Sequence, residues 1–324
     1  MDLNLGRARE LKSAFLNSFA TEGRTSVMAY QLAISIAPVV IPWEGVALGL
    51  TGKTRNDVRF ALRATSELVL DSPAVSEFLH VNKDQVDVEI TGEIQALPCG
   101  VNVARVRPPQ TGFSVGHHRV TAGTIGAFVS RPGMRTLILS NNHVLADTNR
   151  GQRGDPVLQP GTHDGGVASD QIGTLVDSVA LNPLQPNLVD AAIAEVDEGI
   201  ELEHVTSALG VLGSDVVDDG LEVTKHGRTT GFTEGVVTAV EVDGLRVNYG
   251  TGGVFVFDSQ IEIGRPDGSA FSAGGDSGSL VVTKSEPRVA VGLLFAGGVQ
   301  PGRPHRTYAS PIDVVLDTLG IALM

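Results

Sequence analysis

The segment Gly274-Gly275-Asp276-Ser277-Gly278 is a tight, glycine-flanked turn that presents Ser277 and runs straight into the apolar stretch Leu280-Val281-Val282. A serine hydroxyl is a poor nucleophile at neutral pH. It needs a base to take its proton and hydrogen-bond donors to hold a developing oxyanion. Gly275 and Gly278 let the backbone fold closely around Ser277 and leave amide hydrogens free to meet a carbonyl. Of the eight histidines, His143 stands out by context. It lies in Ser140-Asn141-Asn142-His143-Val144-Leu145, directly after the apolar run Thr136–Leu139, so an imidazole sits at the exit of a buried strand. A third group must orient that imidazole. Asp190 opens Asp190-Ala191-Ala192-Ile193-Ala194, where an acid gives way at once to small and apolar residues; a carboxylate buried there requires a partner. Asp164, Asp170, Asp215, Asp218 and Asp219 read instead as acids at turns. The chain order is then His143, Asp190, Ser277.

The elements that must hold these groups change in texture along the chain. Leu5, Ala8, Leu11, Phe15 and Phe19 recur at helical spacing, predicting a helix over 4–20. A turn at 21–26 leads towards a second helix ending near Pro38. Strands are expected at 45–50, 58–64 and 86–90, with Ser72-Pro73 starting a helix over 74–80. The first hundred residues thus read as a small α+β unit, and the loop 105–112, with Pro108-Pro109, is the boundary: 1–108 an accessory or regulatory unit, 109–324 the main domain. After Gly112 short β-type runs recur between glycine-rich turns, at 124–130, 136–140, 171–176, 191–196, 236–242, 245–249, 254–261, 280–283 and 290–295. A helix over 312–319 closes the chain. That density of strands predicts a mainly β sandwich or barrel.

Composition excludes several function classes. The formal charge of −13 and the scarcity of aromatic residues (5%) speak against nucleic acid as a partner. Cys99 is the only cysteine, which excludes an intramolecular disulfide and gives a cytoplasmic location as the expectation. The N-terminus lacks the apolar core of a signal peptide. The apolar stretch 32–50 is broken by Pro38, Pro42 and Glu44, so buried core rather than a membrane span is expected. His117-His118 and His163-Asp164 are adjacent pairs in loops without zinc-site spacing, read as solvated turns; no metal and no cofactor are expected.

Asn141-Asn142-His143-Val144, Asp190-Ala191-Ala192-Ile193 and Gly275-Asp276-Ser277-Gly278 resemble, in that order, the three catalytic blocks of the trypsin-like (chymotrypsin-fold) serine proteases. The first block is most similar to that of bacterial and HtrA-type members. Lys225-His226-Gly227-Arg228-Thr229-Thr230-Gly231 also resembles a segment of trypsin-like peptidases, read as a structural turn. The resemblance spans about 112–310. It implies two antiparallel six-stranded β-barrels, with His143 and Asp190 from the first and Ser277 from the second. It further implies His143 as general base and then acid, Asp190 fixing its tautomer, an oxyanion hole from the amides of Gly275 and Ser277, and an acyl-enzyme on Ser277. The partner so implied is a protein or peptide substrate.

The sequence also departs from that family. The common Gly-Asp-Ser-Gly-Gly-Pro continues here as Ser279-Leu280. Val291–Gly297 resembles the strand that pairs with a bound peptide, which makes Phe295, Ala296 and Gly297 candidate substrate-binding residues. By simple counting Phe295 stands where many members carry a serine supporting the catalytic acid, so Asp190 needs another partner. Phe271 occupies the position where trypsin carries its selecting acid. A tryptic preference is therefore not supported, and an apolar or small side chain before the cleaved bond is expected instead.

Two other readings compete. The turn nearly satisfies the Gly-x-Ser-x-Gly elbow of serine esterases. That fold needs a helix after the serine and an acid and a histidine later in the chain; here a β-type run follows, and only His305 lies downstream, with no aspartate between. A catalytically silent protease fold serving as a binding scaffold is the second rival. For the N-terminal unit the regulatory expectation is that it restrains the protease until an activating partner or a cut releases it.

Overall fold

The computed structural model describes residues 3–17, 45–52, 58–92, 101–202, 210–298 and 304–324. Cys99, the helix expected before Pro38 and most of the apolar stretch 32–50 lie outside them. Among the described residues no helix is long and apolar enough to cross a membrane.

Helix α1 (5–17) turns Ala8, Phe15 and Leu16 inward, following the helical spacing of its apolar residues. Strands β1 (Val46–Thr51) and β2 (Arg59–Ala64) form an antiparallel pair. The short α2 (Glu67–Leu70) and α3 (Pro73–Val81) then carry the chain to β3 (Val86–Ile90), parallel to β2. Pro73 stands at the start of α3, where its missing N–H costs no helical bond. Phe15, Phe60 and Phe78 meet in the core of this unit, with ring centroids 4.1 and 5.1 Å apart.

The next region is a curled antiparallel sheet. Its strands are β4 (Ser114–His117), β5 (Gly123–Thr124), β6 (Ala127–Ser130), β7 (Leu137–Ser140), β8 (Pro156–Leu158), β9 (Gln171–Ser178) and β10 (Ala192–Val196). The one-turn helix α4 (Asn142–Leu145) follows β7. Strand β19 (Ala322–Leu323), at the C-terminus, joins beside β6, giving the order β19-β6-β7-β10-β9-β8-β4-β5. Six of these strands, β4 and β6–β10, make the body of the first barrel, and the two-residue β5 and β19 flank it.

A second barrel follows from β11 (Glu222–Gly227), β12 (Gly231–Asp243), β15 (Gln260–Gly264), β16 (Leu280–Thr283), β17 (Ala290–Gly298) and β18 (Arg306–Pro311). The order β11-β16-β17-β18-β15-β12 closes because β12 pairs back onto β11. The hairpin β13 (Leu245–Asn248) and β14 (Val254–Phe257) stands between β12 and β15. The run expected as one strand over 254–261 breaks at Ser259, whose φ of 63° lies in the left-handed region. The architecture is mainly β, a chymotrypsin-like double barrel. Helix α5 (Ile312–Leu319) follows β18 and buries Ile312, Val315, Leu316 and Leu319 against residues of both barrels, among them Leu139, Ile193 and Leu293.

The N-terminal strands continue the second barrel. β1 pairs antiparallel with the distal half of the 13-residue β12, at Leu48↔Asp243 and Leu50↔Val240. Arg63 of β2 and Glu262 of β15, both buried, meet across this seam with Nε–Oε2 at 2.9 Å. The hairpin β13–β14 packs through Leu245, Val247, Phe255 and Phe257 into a cluster that also contains Ala47 and Ala61.

Candidate active site

His143 sits in the single turn of α4, and the two asparagines before it fix that turn. Asn141 Nδ2 donates to the Asp190 carbonyl at 2.7 Å. Asn142 Nδ2 donates to the Val179 carbonyl (2.7 Å) and to Asn149 Oδ1 (2.9 Å), while its Oδ1 accepts the Asn149 amide. Asp190 lies just before β10, which pairs with β7. Both residues are therefore carried by adjacent strands of one sheet. Their side chains meet with His143 Nδ1 and Asp190 Oδ2 2.5 Å apart, and the His143 amide faces Oδ1 at 3.3 Å. Asp190 is wholly excluded from solvent, whereas the His143 side chain keeps 12% of its surface exposed.

Asp190 has the additional partner that the sequence left unnamed. The Tyr249 phenol donates to Asp190 Oδ2 at 2.8 Å, and its ring lies 5.0 Å from the imidazole. Burial, reinforced by the Asp190 carboxylate, pushes the Tyr249 phenol well above its ordinary range, so it remains a donor. No local sequence signal marks Tyr249, because the contact joins the hairpin of one barrel to the acid of the other.

Ser277 belongs to the second barrel, on a turn bonded to β5 of the first: the Thr124 hydroxyl donates to the Gly275 carbonyl at 2.8 Å. The Ser277 carbonyl accepts the Thr124 amide (2.8 Å), and the Gly278 amide donates to Leu294 O (2.7 Å). The turn needs its glycines. Gly275 and Gly278 have φ of 91° and 95°, and a Cβ at Gly278 would stand 2.1 Å from Ser140 Oγ. The amides of Ala273, Asp276, Gly278 and Ser279 have acceptors, whereas those of Gly274, Gly275 and Ser277 have none among the described residues. Ser277 Oγ donates to the Phe295 carbonyl at 3.3 Å; among the described residues no hydrogen bond joins it to His143.

Asp276 is the anchor of the turn. Its carboxylate accepts the amides of Thr229 (2.7 Å), Thr230 (3.1 Å) and Ala273 (2.9 Å), and Lys225 Nζ lies 3.1 Å from Oδ2. The segment read as a structural turn, 225–231, thus wraps around the residue preceding Ser277. Arg228, buried in the same segment, pairs with Asp164, whose side chain is only 5% exposed. That corrects the reading of Asp164 as an acid at a solvated turn: the loop carrying it folds onto the second barrel. His117 is corrected likewise. It is buried in β4 with Nε2 2.9 Å from Asp155 Oδ2.

The candidate substrate residues divide. Phe271 and Phe295 are wholly buried. Phe271 packs among Val237, Ile263 and Val281, and Phe295 packs against Phe257 at 4.7 Å, so what Phe295 offers the site is its carbonyl. Beyond Leu293, β17 pairs only with β18 among the described strands, so residues 295–298 present a second, unpaired edge beside Ser277. A cavity of ≈ 580 Å³ opens over His143, lined by Arg119, Thr121, Asp147, Arg150 and Tyr249 among others.

Residues 170–299 match the model of peptidase family S64. The match takes in Asp190 and Ser277 and supports a trypsin-like serine protease domain with a proteolytic function. Among solved structures the chain is similar to Thermobifida fusca Protease A, at 17% identity over 66% of this chain and 97% of that one, with a TM-score of 0.46. It is also similar to Nocardiopsis protease, at 16% identity over the same shares and a TM-score of 0.47. No curated protein matches the chain.

Proposed function

We propose that the chain is a serine endopeptidase that hydrolyses peptide bonds through an acyl-enzyme on Ser277, with His143 and Asp190 completing a triad. The observation that carries this reading is the 2.5 Å contact between His143 Nδ1 and the buried Asp190 carboxylate. It fixes the tautomer with Nδ1 protonated, which leaves Nε2 as the basic nitrogen. In the reaction Ser277 Oγ exchanges its hydrogen bond to the Phe295 carbonyl for one to that nitrogen. His143 then takes the hydroxyl proton as Oγ attacks the scissile carbonyl, and returns it to the leaving amine. Water deacylates the enzyme by the same route.

The unpartnered amides of Gly275 and Ser277 are the donors for the oxyanion, each worth about 3 kcal/mol of transition-state stabilisation. The free edge of β17 at Phe295–Gly297 takes the substrate backbone as an added antiparallel strand. The cavity over His143 receives side chains flanking the cleaved bond.

A fluorophosphonate probe tests this reading without knowledge of the substrate. The expected result is covalent labelling of the wild-type chain and none of Ser277→Ala at unchanged melting temperature. A folded wild-type chain that stays unlabelled would favour the silent scaffold.

A further inference from the structure

We infer that Tyr249 is a positioning residue for the proposed triad, holding Asp190 from the second barrel through its phenol; this rests on the reading of Ser277 as nucleophile. Asp190 Oδ2 receives two donors, His143 Nδ1 at 2.5 Å and Tyr249 Oη at 2.8 Å, and no water-exposed surface remains on the carboxylate to replace either. Phe295, which stands where many trypsin-like proteases carry a supporting serine, has no hydroxyl to give.

The mount of Tyr249 is rigid. Its amide donates to Gly253 O at 2.9 Å across the hairpin turn, and its ring packs on Phe255 and Phe257 at 5.7 and 6.3 Å. The same hairpin grips the approach to Asp190. Asn187 donates its amide to Val256 O (2.8 Å) and its Nδ2 to the same carbonyl (3.0 Å), and accepts the Asp258 amide (2.9 Å). The acid of the first barrel is therefore clamped by the second barrel at its backbone, three residues upstream, and at its carboxylate.

This arrangement has a signature that simple packing lacks. A donor on Oδ2 draws down the negative potential that the carboxylate exerts on the imidazole. Removing the hydroxyl leaves that potential stronger, favours the imidazolium, and moves the acid limb of the reaction to higher pH. Less neutral His143 is then available, and the imidazole is held at one point fewer.

The test compares Tyr249→Phe, which keeps the ring, with Leu245→Ala, which disturbs the hairpin core away from Tyr249 and leaves the hydroxyl. The rate of inactivation by a fluorophosphonate is measured from pH 5 to 9 beside the melting temperature, with Ser277→Ala as the labelling control. Tyr249→Phe is expected to slow inactivation at neutral pH roughly tenfold, the size of one lost hydrogen bond to a charged group. Its pH midpoint should rise, and that of Leu245→Ala should stay in place while its melting temperature falls. A Tyr249→Phe chain with unchanged rate and midpoint overturns the inference while leaving the triad standing, and so does one that shares the behaviour of Leu245→Ala. Equal labelling of wild type and Ser277→Ala would instead remove the nucleophile, and this inference with it.

Discussion

Lys225 and Asp276 form an ion pair with both side chains wholly excluded from solvent, Nζ to Oδ2 at 3.1 Å, one residue before Ser277. Such a pair recovers its desolvation cost only when the remaining lone pairs and protons are also satisfied. Here they are. Asp276 accepts three amides and the Thr230 hydroxyl, and Lys225 also donates to Thr230 Oγ1 and to the Gly231 carbonyl. The pair links β11 to the turn that carries Ser277, and so sets where the Gly275 and Ser277 amides stand.

Replacing Lys225 by Met keeps the stem and removes the charge, leaving the Asp276 carboxylate buried without its cation. We expect a loss of about 3–5 kcal/mol of stability, the range for breaking one side of a buried pair. Fluorophosphonate labelling of the fraction still folded should fall, because the turn loses its anchor. Urea denaturation of Lys225→Met beside wild type, with labelling per folded molecule, checks both. A variant that labels at the wild-type rate would separate the ion pair from the proposed oxyanion site.

The same region shows what could be read from sequence. Ser277, His143 and Asp190 could be singled out as candidates because each stands in a short, locally coded setting: a glycine turn, a strand exit, an acid before an apolar run. β11 was not visible as a strand. Its Lys225 and His226 fell in a segment read as a structural turn, and it is Asp276, about fifty residues later, that makes a buried lysine tolerable. Tyr249 and the Arg228–Asp164 pair were hidden for the same reason: each is a contact between barrels, fixed by tertiary geometry rather than by local pattern. The N-terminal strands were legible as strands, from the alternation in Val58–Ala64 and Val86–Ile90. Their pairing onto β12 was not, because the β12 sequence does not show which half of it closes the barrel.

Arg63 tests the role of those N-terminal strands. Its guanidinium makes three hydrogen bonds to Glu262, at 2.9, 3.0 and 3.3 Å, and Glu262 also accepts from Thr238 and Tyr308. Burial works against the Glu262 charge, yet Arg63 and Arg306 hold its carboxyl below the ordinary range. Arg63→Ala leaves that carboxylate with one cation fewer, and we expect a loss of about 3–5 kcal/mol. Because Ala47 and Ala61 share a cluster with the hairpin bearing Tyr249, labelling of Ser277 should fall together with stability. Labelling that rises in Arg63→Ala, or after removal of residues 1–108, would instead support a unit that restrains the protease.

Acid stability depends on two buried groups that pull in opposite directions. Burial, with Arg306 adding to it, pushes the His305 imidazole down from 6.5 to about 4, and among the described residues neither ring nitrogen has a hydrogen-bond partner. Burial lifts the Asp258 carboxyl from 3.8 to about 6 despite the hydrogen bond from the Gly244 amide. Between pH 6.5 and 4 the unfolded chain protonates His305 and the folded chain does not, so this histidine costs stability as pH falls. Between pH 6 and 4 the folded chain protonates Asp258 and the unfolded chain does not, so this aspartate adds stability as pH falls. Each effect is worth about 3 kcal/mol at most, and the two largely cancel in the wild type. Relative to wild type, His305→Leu should therefore gain stability on going from pH 7 to 4.5, and Asp258→Asn should lose it. Urea midpoints across that range measure the difference. If both variants track the wild type in parallel, neither group carries a proton-linked term.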